Sequence, residues 1–258
     1  MNFSSAPIGV FDSGVGGISV LKELHFLMPN ENYIYMGDTK NAPYGSKSNS
    51  EVYELSSQCV SELIEMGVKA VVIACNTATS IAANDLRKKY SIPIIGIEPA
   101  VKPAAISHPG GNILVMATPV TLRNEKYLNL MKTYEHEANI IPLPCPGLVE
   151  IIEKGKGHDG ELKDYLDRLF EPYREREISV IVLGCTHYPH IKKHIKNAFC
   201  STVKVIDGGM GTARETRRQL IEHEILNSPE NKGEIQFIST LKSEKELKIM
   251  KDFFEKND

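Results

Sequence analysis

Short apolar runs rich in β-branched residues alternate along the chain with longer stretches of helical periodicity. The clearest run extends from Val71 to Ala74 and is followed by Cys75 and by good helix sequence between Ile81 and Lys89. A short continuous apolar run is typical of a parallel strand that is buried on both faces. Such strands alternating with helices predict an α/β fold with mainly parallel sheets flanked by helices.

The same order of apolar strand, small residue, cysteine and helix occurs a second time. An apolar run at residues 180–183 leads through Gly184 into Cys185, which lies 110 residues after Cys75. Any α/β chain repeats strand, loop and helix, but a cysteine at the same place in both copies favours a duplicated unit. Two further strands recur at a similar spacing: residues 8–13 align with 113–118, and residues 92–96 align with 202–206.

The predicted boundary between the two copies lies at a crossover that follows Glu98, so the second domain covers residues 99–206. Residues 207–258 end in a strand and an amphipathic helix, which we expect to pack on the first domain. Residues 1–98 and 207–258 would then form one discontinuous domain. Because ligands of parallel sheets bind beyond the carboxyl ends of the strands, we expect the active site in the cleft between two pseudo-symmetric domains.

Composition and charge narrow the classes of partner. The 258 residues include 30 Lys and Arg and 33 Asp and Glu, which are interspersed and give a formal net charge of −3. We therefore expect no broad basic surface for nucleic acid or for an anionic membrane. No apolar run approaches the roughly 18 residues of a membrane-spanning helix. These properties favour a small polar molecule as the ligand.

The cysteines and the N-terminal residues indicate the compartment. The five cysteines are widely spaced and include no C-x-x-C pair, which argues against a disulfide framework or a zinc ribbon: Cys59, Cys75, Cys145, Cys185 and Cys200. Residues 1–7 have neither the basic nor the apolar region of a signal peptide. We therefore expect a cytoplasmic protein, in which Cys59 and Cys200 are packing residues.

Polar residues follow the first predicted strand and the second. Asp12 and Ser13 precede a glycine-rich turn, but a dinucleotide-binding G-x-G-x-x-G motif would need glycine in place of Ser19. NAD or FAD binding is therefore not expected. Asp12 either faces a small ligand or caps the next helix. Tyr44 and Gly45 either cover a ligand carboxylate or belong to a simple turn.

Three kinds of chemistry can be compared for Cys185. It could join the histidines at positions 187, 190 and 194 in a metal site, but only one thiolate is nearby and we expect no metal. A Cys–His nucleophile made with His187 would leave Cys75 unexplained. Two cysteines facing one ligand could instead racemise it. One thiolate would remove a proton from a stereocentre while the opposite thiol donates one to the other face, with no cofactor required.

The ionisation of two such thiols is energetically feasible. A free thiol has a pKa of about 8.5, so half-ionisation at neutral pH costs roughly 2 kcal/mol. The N-terminus of a helix after each cysteine would supply a comparable stabilisation. Like charges across one ligand repel, so we expect only one thiol to be ionised at a time.

Four motifs together resemble the bacterial glutamate racemases of the aspartate/glutamate racemase superfamily, over essentially the whole chain. The motifs are Asp12-Ser13-Gly14-Val15-Gly16-Gly17, Pro43-Tyr44-Gly45, Cys75-Asn76-Thr77-Ala78 and Gly184-Cys185-Thr186-His187-Tyr188-Pro189. The resemblance implies cofactor-independent interconversion of L- and D-glutamate. It also implies the supply of D-glutamate for peptidoglycan, and hence for cell-wall biogenesis and cell shape. Members are often dimers, so a homodimer is expected.

The resemblance also implies roles for particular residues. Cys75 and Cys185 would be the acid/base residues, and Asp12 and His187 would assist the adjacent thiols and contact the substrate. Glu153 matches a glutamate that follows the family's Cys-Pro motif and is a further candidate. Ala117-Thr118-Pro119 departs from the family's usual Gly-Thr. Further substrate contacts are implied for Ser13, Tyr44, Gly45, Asn76, Thr77, Thr118, Thr121 and Thr186.

Two other functions remain open from the sequence. A racemase of this superfamily could act on aspartate or on another amino acid, because polar side chains alone do not fix the length of the substrate. A binding protein could keep the fold without the reaction. The presence of both Cys75 and Cys185 argues against the second alternative, since a binding module has no need of two matched thiols.

Overall fold

Nine strands and eleven α-helices alternate along residues 3–155 and 158–255, which are the residues that the computed structural model describes. The strands are β1 (Ile8–Asp12), β2 (Tyr33–Gly37), β3 (Ala70–Ile73), β4 (Ile94–Gly96), β5 (Asn112–Ala117), β6 (Asn139–Pro144), β7 (Ile178–Leu183), β8 (Lys204–Asp207) and β9 (Ile235–Ser239). The helices are α1 (Ile18–Leu27), α2 (Asn49–Glu65), α3 (Asn76–Lys89), α4 (Val101–Ser107), α5 (Pro119–Arg123), α6 (Glu125–Tyr134), α7 (Leu148–Lys154), α8 (Asp159–Phe170), α9 (Lys192–Phe199), α10 (Gly209–Glu222) and α11 (Glu244–Glu255). Short 3₁₀ turns lie at Phe3–Ser5, Tyr44–Ser46, Glu171–Tyr173 and Tyr188–Ile191.

The strands form two parallel sheets with the same connectivity. The first sheet has the order β4-β3-β1-β2-β9, and the second has the order β8-β7-β5-β6. Each strand pair in both sheets is parallel. Replacing β1–β4 by β5–β8 converts the first order into the second, as expected for a duplicated unit. The predicted fold class, two α/β domains with parallel sheets flanked by helices, is confirmed.

The chain divides into two compact units. One contains the residues up to Glu98 together with those from Gly209 onward, and the other is Pro99–Gly208. The division after Gly208 falls two residues beyond the predicted return at position 207, because Asp207 ends β8 and pairs with Leu183 of β7. The last strand, β9, pairs with β2 in the first sheet. Within the described ranges, no helix is both long and apolar enough to cross a membrane.

Alternating strand residues build a hydrophobic layer on each face of the first sheet. Ile8 and Val10 of β1 pack in the layer beneath α1, α10 and α11. Phe11 packs in the opposite layer with residues of α2 and α3. The side chains of a strand point alternately to its two faces, so a central parallel strand must be apolar on both. Cys75 belongs to the α2/α3 layer, in line with Ile73.

The second sheet repeats this arrangement. Val180 and Val182 face a layer that includes residues of α4 and α6, whereas Ile181 and Leu183 face α7, α8 and α9. Cys185 lies in the α7/α8/α9 layer, again in line with the preceding strand residues on that face. Each cysteine therefore continues the same face of the equivalent strand, β3 or β7.

A buried ion pair lies at the end of the first sheet where its strands begin. The Lys69 ammonium lies 2.5 Å from a carboxylate oxygen of Glu31, and both side chains are almost inaccessible to solvent. Burial lowers the pKa of Lys69, and the pairing with Glu31 opposes that shift. The other oxygen of Glu31 accepts a hydrogen bond from the Asn227 backbone. Glu31 thus links Lys69, which precedes β3, to Asn227 in the connection before β9. These contacts lie at the opposite end of the strands from the candidate site.

Candidate active site

Each sheet places a buried cysteine just beyond the carboxyl end of one strand. Cys75 follows β3 after Ala74 and is 6% exposed, and Cys185 follows β7 after Gly184 and is 8% exposed. The residue before each cysteine is held in the same way. The Ala74 N–H donates to the β1 carbonyl of Phe11 at 2.7 Å, and the Gly184 N–H donates to the β5 carbonyl of Met116 at 2.7 Å. The two thiols thus have equivalent positions in the two sheets.

The local support of the two thiols differs. Cys75 is the N-cap of α3, and its Sγ accepts a hydrogen bond from the Ala78 N–H at 3.5 Å. Cys185 is followed instead by the 3₁₀ turn Tyr188–Ile191, and α9 begins only at Lys192. The predicted helix N-terminus is therefore present directly after Cys75. The same prediction for Cys185 is wrong. Pro189, which would suit the first turn of an α-helix, lies instead in this 3₁₀ turn, which begins at Tyr188.

A histidine and a glutamate replace the helix N-terminus beside Cys185. The His187 Nδ1 lies 3.9 Å from the Cys185 Sγ, and its Nε2 lies 2.9 Å from a carboxylate oxygen of Glu153. Burial alone would lower the pKa of His187, but hydrogen bonds and charge from Cys185 and Glu153 outweigh it and raise the pKa well above its ordinary value. The imidazolium form is therefore favoured between the thiol and a carboxylate. The structure brings together these three predicted residues.

Buried hydroxyls line the same edge of the second sheet. Thr118 directly follows β5 and is the N-cap of α5, where its Oγ1 accepts a hydrogen bond from the Thr121 N–H at 3.2 Å. The hydroxyl oxygens of Thr118 and Thr121 lie 3.0 Å apart. Thr186 is also buried, next to Cys185. Because β5 pairs with β7, these threonines lie near the cysteine, and Pro119 fits the first position of α5.

Asp12 lies at the corresponding edge of the first sheet. It is the last residue of β1 and is fully buried, and its Oδ1 accepts a hydrogen bond from the Gly14 N–H at 2.9 Å. The N-cap of α1 is Gly17, which makes no side-chain capping bond, so the alternative that Asp12 caps this helix is wrong. Ser13, which follows Asp12, is buried as well.

The tight contact at Gly17 fixes where Asp12 can lie. A Cβ on Gly17 would lie 2.5 Å from the Asp12 Cβ and 3.0 Å from the Ala74 Cβ. The backbone of Gly17 is helical, with φ −63°, so alanine is excluded by space and not by conformation. The absence of a side chain here lets Asp12 pack beside the residue that precedes Cys75.

We expect Gly17→Ala to destabilise the protein by about 1–3 kcal/mol, because overpacking forces Asp12 or Ala74 to move. The free energy of unfolding in urea measures this loss. Gly211→Ala is the matched control, since Gly211 lies in the first turn of α10 and a Cβ there meets nothing within 4 Å. The control should be neutral or more stable by up to about 1 kcal/mol. Equal stability of both variants would contradict the packing argument.

The remaining predicted residues of the first unit lie on α3 and in the loop after β2. Asn76 and Thr77 occupy the first turn of α3 and are buried. The side-chain oxygen of Asn76 has no hydrogen-bond partner among the described residues, so a polar ligand at this edge could donate to it. Tyr44 and Gly45 lie in the 3₁₀ turn Tyr44–Ser46. The Tyr44 hydroxyl is buried and donates to Asp38 at 2.7 Å.

Asp38 is a further buried carboxylate near this edge, for which the sequence pattern predicted no role. Asp38 directly follows β2, as Asp12 ends β1, and its N–H donates to the Asp12 carbonyl at 2.9 Å. An aspartate at the carboxyl end of a buried strand was the available signal. Its partner Thr240, 2.7 Å away, comes from the distant turn after β9 and has no local sequence signal.

The other cysteines and histidines lie outside this arrangement. The thiols of Cys59 and Cys145 are buried, and burial raises the pKa of each. Cys200 is exposed, which corrects its prediction as a packing residue, and hydrogen bonding by Thr202 lowers its pKa. His194 faces Asp159 at 3.8 Å. Across the part of the chain that the structure describes, no group of three or more His, Cys, Asp or Glu is placed to hold a metal ion.

Two parallel α/β sheets, each with a buried thiol among polar side chains at its carboxyl edge, define a duplicated α/β enzyme suited to acid–base chemistry. The sequence profile described as Asp/Glu/Hydantoin racemase matches residues 18–216. The chain belongs to the Asp/Glu/Hydantoin racemase family. The resemblance carried by the four motifs is thereby confirmed.

Individual relatives cover nearly the whole chain. A glutamate racemase of Clostridium perfringens is 51% identical over 98% of this chain and 98% of its own. The crystal structure of glutamate racemase isoform RacE1 from Bacillus anthracis has a TM-score of 0.85 at 30% identity, covering 96% of this chain and 92% of that chain. The glutamate racemase of Francisella tularensis in complex with D-glutamate has a TM-score of 0.83 at 30% identity, with coverage of 98% and 95%.

Proposed function

We propose that this protein is a glutamate racemase that interconverts L- and D-glutamate without a cofactor, using Cys75 and Cys185 as its two acid/base residues. The observation that carries the proposal is the equivalent position of the two buried thiols, each two residues beyond the last residue of the equivalent strand, β3 or β7. The 51% identity to a glutamate racemase over 98% of the chain supports the choice of substrate. The fold shared with a racemase that binds D-glutamate also supports it.

The reaction is a proton exchange at the α-carbon. One cysteine, as the thiolate, takes the α-proton and becomes a thiol, and the electron pair of the C–H bond stays on the substrate. The other cysteine, as the thiol, donates its proton to the opposite face of the same carbon and becomes a thiolate. No atom is gained or lost overall, and the enzyme is left in the protonation state that suits the other enantiomer.

The surroundings of each thiol favour the ionised form by different means. Cys75 accepts the Ala78 N–H at the N-terminus of α3, where the helix dipole stabilises negative charge. Cys185 faces His187, whose raised pKa favours the imidazolium, and Glu153 holds the other ring nitrogen. Two thiolates around one substrate would repel, so the working enzyme carries one thiolate and one thiol.

The polar side chains around the thiols bind the carboxylates and the ammonium group of glutamate. Asp12 assists Cys75 and His187 assists Cys185, and both contact the substrate. Glu153 acts through His187. The other substrate contacts come from buried or turn residues at the two edges: Ser13, Tyr44, Gly45, Asn76, Thr77, Thr118, Thr121 and Thr186.

The biological setting follows from the product. D-Glutamate made by this reaction supplies peptidoglycan synthesis, and so cell-wall biogenesis and cell shape. The protein works in the cytoplasm, where its five free thiols remain reduced. It functions as a homodimer with a small-molecule substrate and without a nucleic-acid or membrane partner.

We expect L-glutamate in heavy water to lose its α-proton signal in proton NMR when the purified protein is added with no cofactor or metal. Chiral analysis should then find D-glutamate carrying deuterium at the α-carbon, because the donating thiol exchanges its proton with solvent. Aspartate is the control substrate. Exchange of aspartate without glutamate would replace the proposed substrate, and no exchange of either acid would contradict the proposed reaction.

A further inference from the structure

The buried carboxylate of Asp38 joins two segments that are about 200 residues apart in sequence. One carboxylate oxygen accepts the Thr240 hydroxyl at 2.7 Å, and the other accepts the Tyr44 hydroxyl at 2.7 Å. The Asn41 side-chain amide donates to both oxygens, at 3.0 and 3.1 Å. Asp38 itself is 1% exposed. Each oxygen is therefore held by two donors, and the orientation of the carboxylate is fixed.

The turn that carries Thr240 is docked on the loop after β2 by further hydrogen bonds. The Thr240 N–H donates to the Gly37 carbonyl at 3.1 Å, and the Thr240 hydroxyl accepts the Lys40 N–H at 3.1 Å. The hydroxyls of Thr39 and Ser239 lie 2.7 Å apart. The segment between β9 and α11 thus supports the loop that contains Tyr44, although it comes from the other end of the chain.

Tyr44 links this support to the neighbourhood of Cys75. Its ring packs against Phe11 at 6.2 Å and lies in the same buried cluster as Cys75. Burial raises the pKa of Tyr44, as do the hydrogen bond to Asp38 and the nearby charges of Cys59, Asp38 and Cys75. The Tyr44 hydroxyl therefore keeps its proton and donates it to Asp38, so the orientation of the ring depends on that carboxylate.

We propose that Asp38 and Thr240 are positioning residues that hold Tyr44 in its substrate-binding orientation, so that the turn after β9 takes part in the site. This inference rests on the proposed function, because Tyr44 is assigned there to substrate binding. Asp38 does not act as an acid or base itself, since both of its oxygens already accept two hydrogen bonds. Loss of the Thr240 hydroxyl leaves one oxygen under-satisfied and frees the carboxylate to rotate, and Tyr44 with it.

Thr240→Val tests the inference without removing the carboxylate. We expect the KM for both enantiomers to rise roughly tenfold, while kcat changes by less than about threefold, because a binding contact is lost and not an acid or base. Thr240→Ser keeps the hydroxyl and should restore the wild-type KM. Thr39→Val is the matched control. It removes a hydroxyl contact between the same two segments without touching Asp38, and its KM should stay close to that of the wild type.

A second readout does not depend on turnover. Iodoacetamide labelling followed by mass spectrometry measures the alkylation of Cys75 relative to Cys185 in the same molecules. Thr240→Val should raise this ratio, because a loosened Tyr44 opens the cluster that contains Cys75. In an Asp38→Asn background, Thr240→Val should add little to the KM, because the two residues act as one unit.

The inference is overturned if Thr240→Val leaves both KM and the labelling ratio unchanged, or if Thr39→Val has the same effects as Thr240→Val. A fall in kcat with an unchanged KM would also overturn it, since that result assigns a role in proton transfer. If the wild-type protein does not exchange glutamate, the proposed function fails. The labelling ratio then still tests whether Thr240 positions the Tyr44 loop.

Discussion

Cys75→Ser and Cys185→Ser should each lower the rate of glutamate racemisation by roughly 10²- to 10⁴-fold in both directions, which is the range for loss of a positioned acid or base. A serine hydroxyl keeps the shape of the side chain but does not ionise near neutral pH. In the proposed reaction each cysteine acts as base for one enantiomer and as acid for the other, so the loss of either is expected to block both directions. Measurement of kcat from each enantiomer, by optical rotation, tests this.

Two other cysteines provide controls for these variants. Cys59 lies within α2 and Cys200 lies on the surface. The variants Cys59→Ser and Cys200→Ser should therefore both keep nearly full activity. Circular dichroism spectra should establish that all four variants are folded. Substantial activity in Cys75→Ser or Cys185→Ser would rule out the two-cysteine mechanism, and inactivity of Cys200→Ser would show that loss of a thiol is not specific to the proposed pair.

The spacing of the cysteines predicted the duplicated architecture because the pattern is local and physically constrained. A strand buried on both faces must be an apolar run, and a cysteine just beyond it must lie at the ligand-binding edge of a parallel sheet. The register of β3 and β7 has this form, with Cys75 and Cys185 on the same faces as Ile73 and Leu183. The sequence therefore sufficed for the positions of both thiols.

Contacts between distant segments could not be predicted in the same way. The bond from Thr240 to Asp38 spans 202 positions and depends on where β9 joins the sheet. The 3₁₀ turn after Cys185 could not be predicted either, because Pro189 near the start of a polar stretch fits an α-helix equally well. This difference in local structure changes the electrostatic environment of the thiol. At Cys75 the N-terminus of α3 provides partial positive charge. Beside Cys185 a neighbouring side chain has to provide it, and His187 lies there.

His187→Gln should therefore reduce kcat roughly 10- to 100-fold, the value of one charge-assisted hydrogen bond. Glutamine keeps a hydrogen-bonding group but cannot carry the positive charge that the raised pKa of His187 favours. The Cys185 thiolate then lacks a cationic neighbour. In the wild type the imidazolium is lost as the pH rises through the raised pKa of His187, and this pH dependence of kcat should be absent from the variant in the direction that uses Cys185 as base.

The two directions of this variant provide a strict internal check. Enantiomers have equal free energy in water, so kcat/KM must fall by the same factor from L- and from D-glutamate, whatever the variant. An unequal effect can appear only in the separate kcat and KM values, and we expect the larger loss of kcat for the enantiomer whose α-proton Cys185 removes. His194→Gln is the control, because His194 lies on α9 and faces Asp159. An unchanged pH profile with a normal kcat in both directions would mean that His187 does not stabilise the Cys185 thiolate, and the charge would then have to come from another group at that edge.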